Sequence, residues 1–472
     1  MRIRELVFPL CVIAGCGSSD SQPPDAPPAD TAPPIDAALP DADATPVLSA
    51  IAPTAGIVTT SITLTGSRFG ASQGSSTVTV GGVTASVTSW SDTAIVATVP
   101  DVLPGPAAVR VASASGESAA QQFQVVLPAM AYLHNDANDT NGSDTITVMS
   151  FDTTTGAMSQ VGTPIAMGTP TSSYGGCSQS IVVHERTRRV FAAGSTGVAV
   201  YQIDPVTGTL TAVAGSPFAT NGTRAFGLTL NAAGTRLFVT SYDSKQVAVF
   251  DVAANGVMTH VPSSPFTTTN GVDTIAITGD DAYIYANSYN SSFQGFSVGA
   301  TGALTSLGTP YTPGGTALWT RPGHDQLYVT IGSGTLAVFN VDTTTGVPTQ
   351  VTGSPFAINR PSGILDSPTF NSDGTRLYMG NDNSGYIVAY SVAVDGTPTA
   401  IAGSPFDVSA SLSDISCLAL SRDGTHLLAA GESQPRVGVF SIDAAGVPAQ
   451  VTNSPFTHTT PQASVSGLAI TF

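Results

Sequence analysis

One short phrase recurs along most of this chain and limits what it can fold into. AGSPF stands at 214–218, GSPF at 353–356 and 403–406, SSPF at 263–266 and NSPF at 453–456, with looser versions GTPI at 162–165 and GTPY at 308–311. Their prolines fall at 164, 217, 265, 310, 355, 405 and 455, in steps of 53, 48, 45, 45, 50 and 50 residues. Repeats of that length belong to β-propeller blades rather than to helical solenoids.

The unit from 225, AFGLTLNAAGTRLFVTSYDSKQVAVFDVAANGVMTHVPSSPF, divides into four strands. These are GLTL, RLFVTS, QVAVFDV and VMTHV; NAAGT separates the first pair and AANG the last. Equivalent turns recur as NSDGT at 371–375, SRDGT at 421–425, DPVTG at 204–208 and DTTTG at 342–346. In each, Asp, Asn or Ser opens the turn and Gly supplies a positive-φ position. The phrase is expected to close the outermost strand. Its proline donates no ladder hydrogen bond at the edge, and the following aromatic (Phe218, Phe266, Tyr311, Phe356, Phe406, Phe456) plugs the seam between adjacent blades. The ends interlock: AMAYLHND reads as a second strand with no first strand before it, and the terminal VSGLAITF reads as a first strand with nothing after it. One blade is therefore built from both ends of 128–472, which removes exposed sheet edges.

The fold class that follows is all-β. Only 10% of residues are charged and almost no helix is expected. Ahead of the propeller, 46–127 shows short alternating runs (Ser61–Thr65, Thr77–Val80, Ala94–Val99, Ala107–Ala112) divided by Gly, Pro and Ser-Asp turns. This is the pattern of an antiparallel sandwich. IAPTAG, LTGSRFG, VGG and WSDTAIVATVP resemble an IPT/TIG immunoglobulin-like domain, with Thr59 where that family usually has glycine. Its GASQG at 70–74 matches a nucleophile motif but precedes no helix, and is read as coincidence. Residues 128–472 resemble the YVTN-repeat and 6-phosphogluconolactonase-like seven-bladed propellers.

The first 15 residues read as an export signal. Arg2 and Arg4 precede an apolar stretch, Leu6–Ile13, and IAGC at 13–16 resembles the bacterial lipobox. That resemblance implies lipidation of Cys16, and Gly17 after it implies delivery to the outer membrane, hence a cell-envelope lipoprotein. Residues 16–45, from the lipidated cysteine onward, carry seven prolines and six aspartates with no basic residue, the composition of an extended tether. The formal charge is −17, with Lys245 the only lysine, which excludes nucleic acid as a partner. Cys177 and Cys417 are expected on first strands across the channel, too far apart for a disulfide.

Propeller ligands are expected over the central channel, on loops leading into first strands and joining second strands to third. Those loops supply Arg224, Asp273, Arg360, Asp366 and Asp414, then Asp243, Lys245, Asp382, Glu432 and Arg436. Lactone hydrolysis needs a base to activate water and a cation for the oxyanion, roles assigned to Glu432 and to Arg436 or Arg360. The resemblance implies a His, Glu and Arg pocket, yet His184, His324 and His426 fall near first turns and His260 in an outer strand; His458 alone is on a lead-in loop. Glu185 falls on the opposite face. The stretch NDANDTNGSD at 135–144 offers Asp136, Asp139 and Asp144 as candidate Ca²⁺ ligands, although Gly142 is out of step with EF-hand spacing. No zinc spacing occurs and no other cofactor is expected. The leading expectation is a monomeric, lipid-anchored platform that binds a small molecule or protein on the propeller face without catalysis; the alternative is a lactonase-like hydrolase.

Overall fold

The computed structural model describes residues 45–136, 143–170, 179–332, 334–360, 363–382, 384–431, 434–459 and 464–472. The lipidation candidate Cys16, the tether, Asp139, Cys177 and Glu432 lie outside them. No helix among the described residues is long and apolar enough to cross a membrane.

Two sheets form the N-terminal sandwich. One runs Val47–Ala52, Ser61–Ser67, Ala94–Thr98, Ser86–Trp90; the other runs Ala55–Gly56, Gln121–Val125, Gly105–Ser113, Thr77–Val80, Val83–Thr84. Alternation sorts their side chains: Ile62, Leu64, Val78, Val80, Ile95, Val109, Val111 and Phe123 are fully buried between the sheets, and their neighbours face out.

Seven further sheets form the propeller. Blade 3 shows the pattern, with Ala225–Leu230 innermost, then Arg236–Ser241, Gln246–Val252 and Met258–His260 outermost. Blade 2 spans 181–212, blade 4 275–306, blade 5 317–350, blade 6 364–400 and blade 7 417–450. Blade 1 takes Met130–Asp136, Ser143–Phe151 and Met158–Gln160 from one end and Ser464–Ile470 from the other. The C-terminal strand is its innermost, pairing Ala131 with Ile470 and Leu133 with Leu468 before a bulge at His134/Asn135. The hydrophobic clusters lie between blades: Val198 and Val200 of blade 2 pack with Leu237, Val239 and Phe250 of blade 3.

The recurrent phrase does more than end a strand. Its serine turns inward, so that Ser216, Ser264, Ser354, Ser404 and Ser454 accept from third-strand amides of Val200, Val249, Val338, Ala389 and Val439 at 2.8–2.9 Å. The following Ser-Pro peptides are cis. The aromatic then opens a two-residue strand back on the third strand, as Phe266 does opposite Val247. The expected seam plug holds: Phe218 packs on the cluster shared by blades 2 and 3, and Phe456 on that shared by blades 7 and 1.

The cysteine expectation needs correction, because Cys417 is disulfide-bonded. Its strand and Ile181–His184 of blade 2 both border the C-terminal strand, so blades separated by one blade still converge near the axis. The chain's other cysteines all lie outside the described residues.

The sandwich sits against the turn face of blade 2. Arg188 of the first turn bonds Asp101 at 2.6 Å and the Val102 carbonyl. Nearby, Glu185 pairs with Arg422 of blade 7 at 2.6 Å, which confirms its place on the face away from the lead-in loops.

Candidate functional site

The innermost strands enclose a cavity of about 320 Å³ on the propeller axis. Every blade contributes an apolar wall: Leu468, Ile181, Leu228, Ile275, Trp319, Pro368 and Leu418. Among the described residues its polar groups are Gln179, Thr229, Thr320 and Thr369, and none of its lining side chains is titratable.

At the lead-in end of the channel, buried polar side chains stitch blades 3 to 6 together in sequence. Thr240 donates to the Asp273 carbonyl at 2.6 Å, Asn287 to the Gly315 carbonyl at 2.8 Å, and Thr316 to the Leu365 carbonyl at 2.8 Å. Most of the expected channel-mouth charges belong to this collar or to local pairs. Asp273 is 5% exposed and accepts from the Thr274 amide at 2.6 Å and from Asn287 at 3.0 Å. Burial outweighs those bonds and pushes its carboxyl up to about 7. Arg224 adopts φ 54°, pairs with Asp243 at 3.0 Å and lies over the Phe226 and Tyr242 rings at 5.4 and 5.1 Å. Arg360 reaches back to the Gly332 carbonyl at 2.8 Å. Asp414 is buried against Gly431, where an added Cβ would lie 2.2 Å from its carbonyl oxygen. The backbone of Asp366 pairs with Gly380 in blade 6; its side chain is outside the described set.

Blade 7 differs. The third residue of Gln434–Ile442 is Arg436, which is exposed and pairs in the ladder with Thr457. The next residue, His458, bonds through its amide to the Pro435 carbonyl at 3.0 Å and is only 3% exposed. Among the described residues neither of its ring nitrogens has a partner, and burial pulls the imidazole down to about 4. At the same place after blade 2, Thr220 bonds the Thr196 carbonyl at 3.2 Å in the second-to-third turn. In blade 7 that turn joins Gly431 to Gln434 and contains Glu432. Ladder partners share a face and successive residues alternate, so exposed Arg436 shares a face with Thr457 while buried His458 points to the other; Arg360, Arg224 and Asp273 are held in bonds of their own.

Three further histidines keep to structural places. His184 bonds Thr187 at 2.9 Å on the turn face, His260 bonds Ser264 at 2.9 Å in the outer strand, and His426 packs edge-on to Phe151. Sequence reasoning overlooked His134. It is 1% exposed, contacts Ser180 at 2.8 Å and faces Asp144 at 3.6 Å. Its signal was available: His134 stands two residues after Tyr132, as Thr240 follows Phe238 and Asn287 follows Tyr285. Asp136 and Asp144, two of the calcium candidates, are fully buried beside it. No group of three His, Cys, Asp or Glu able to hold a metal ion occurs among the described residues.

Residues 46–125 match the IPT/TIG domain profile, and residues 136–262 match the profile of the lactonase seven-bladed β-propeller. No curated protein matches. Among solved structures, a candidate 6-phosphogluconolactonase from Bacteroides uniformis is 16% identical with a TM-score of 0.59, over 73% of this chain and 99% of that one. The periplasmic gluconolactonase of Pseudomonas aeruginosa is 18% identical with a TM-score of 0.58, over 73% and 98%. The chain accordingly folds as a β-sandwich followed by a seven-bladed β-propeller, and is similar to IPT/TIG domains over 46–125 and to the lactonase propellers over 136–262.

Proposed function

We propose that the propeller hydrolyses a small lactone or related cyclic ester at the loop end of blade 7. The observation that carries this reading is that exposed Arg436 stands at the loop end of blade 7, four residues after Glu432 in the sequence. The lactonase profile match supports it. Glu432 would take a proton from water, the water would attack the carbonyl carbon, and Arg436 would steady the oxyanion. The ring C–O bond then breaks and the alkoxide takes up a proton to give the open hydroxy acid.

The test uses the mature chain carrying Cys16→Ser and a panel of sugar lactones in a pH-stat. Opening above the buffer rate is expected, with a loss of about 10²-fold or more in Glu432→Gln and none in Glu185→Gln. Absence of turnover across the panel overturns this reading. It would favour a second one, a binding platform, which the uncharged wall of the axial cavity supports. We place the protein at the outer membrane through a lipid on Cys16. A fatty-acid analogue should label the wild type and not Cys16→Ser.

A further inference from the structure

Beside the junction of sandwich and propeller lie two adjoining hollows. The larger, about 610 Å³, is lined by Val83, Leu103, Pro104, Pro106 and Ala108, with Arg186 on its rim. The smaller, about 200 Å³, shares Pro104, Pro106 and Arg186 and continues to Gln124 and Arg422. Because they share a wall, they form an elongated groove rather than a pit.

Three independent features characterise this groove. Leu103 is 65% exposed and Val83 43% exposed, and apolar side chains left open toward one hollow mark an interaction surface. Val83–Thr84 is the edge strand of its sheet, so its outer backbone groups can accept an added strand. The third feature is charge. In a chain of formal charge −17, the groove is lined by Arg186 and Arg422 together with Asp101 and Glu185; Asp101 is taken up by buried Arg188 and Glu185 by Arg422, whereas exposed Arg186 has no ion pair or hydrogen bond among the described residues.

We propose that the groove docks an extended segment of a partner protein in which apolar residues alternate with Asp or Glu. The apolar side chains enter beside Leu103 and Pro106, a carboxylate meets Arg186, and the segment's backbone continues the sheet at Val83. Alternation suits the site because successive side chains of a strand point to opposite faces.

An array of short synthetic peptides tests this, probed with the mature chain carrying Cys16→Ser. The expected result is selection of alternating apolar and acidic sequences, weakened about tenfold or more by Leu103→Asp. Arg186→Glu should shift selection to the same sequences with Lys in place of Asp or Glu. Both substitutions are at exposed positions, so folding is preserved. No selection, selection of basic sequences by the wild type, or selection indifferent to both substitutions overturns the proposal. So does self-association in sedimentation that disappears in Leu103→Asp, which would assign the groove to a second copy of this chain.

Discussion

Thr59 stands where related sandwiches usually carry glycine, and its backbone explains why glycine suits the position. It holds φ 75° while its amide bonds the Val99 carbonyl at 2.9 Å. A β-branched residue is strained in that region. The side chain is exposed, so Thr59→Gly should raise stability by about 1 kcal/mol in denaturant unfolding; a loss would mean that the threonine side chain contributes more than its backbone costs. Asp273 and His458 oppose each other with pH. Burial raises Asp273 from 3.8 to about 7, so the stability of its neutral form is complete below 3.8 and is lost as pH rises through 7. Burial lowers His458 from 6.5 to about 4, so its contribution is complete above 6.5 and is lost as pH falls through 4. The wild-type melting curve therefore masks both. Asp273→Asn keeps an oxygen for Thr274 and Asn287 and stays neutral. Relative to wild type it should gain stability above pH 7 and little near pH 4, at about 1.4 kcal/mol per pH unit within the window. A difference that does not vary with pH would refute the burial argument.

At the scale of the element, the outer part of each blade depends on a contact that strand patterning does not reveal. Turn glycines and alternation place the four strands of blade 3 within a residue or two of where they lie. The serine of the phrase is different, because its partner is a buried amide about 15 residues earlier. Ser404→Ala leaves the amide of fully buried Ala389 without an acceptor and should cost about 1–3 kcal/mol. Ser404→Thr, which keeps the hydroxyl, should lose less. Equal melting temperatures for wild type and Ser404→Ala would reduce the serine to a spacer before the proline.

For the whole molecule, stability depends on closing the ring. Ser464–Ile470 fills the innermost place in blade 1, Val465 is fully buried, and Leu468, Ile470 and Phe472 pack on the cluster shared with blade 7. Thr471 ties the end down by accepting from the Met130 amide at 3.0 Å and donating to the Pro128 carbonyl at 2.6 Å. Each large apolar side chain contributes about 1.5–3 kcal/mol when fully buried, against a typical net stability of about 5–15 kcal/mol. Deleting Val465–Phe472 should therefore abolish the cooperative melting transition and leave aggregating protein; an unchanged transition would show that the other six blades hold the ring without it.

What the sequence determined by itself is local or periodic: the strand and turn alternation, the blade period and the complementary half-blades. These follow from side-chain period and from glycine at positive φ, both properties of neighbouring residues. Tertiary structure alone decided which charges remain available. Arg224, Arg360 and Asp273 had the right loop positions, yet they are taken up by Asp243, by Gly332 and by Asn287 with Thr274. His134 became part of the collar, and His458 came to lie beside Arg436's strand. Loop position says only that a side chain is near the axis. Its partner comes from whatever a neighbouring blade or turn brings within about 3 Å, a distance set by how the blades pack rather than by either residue's place in the repeat.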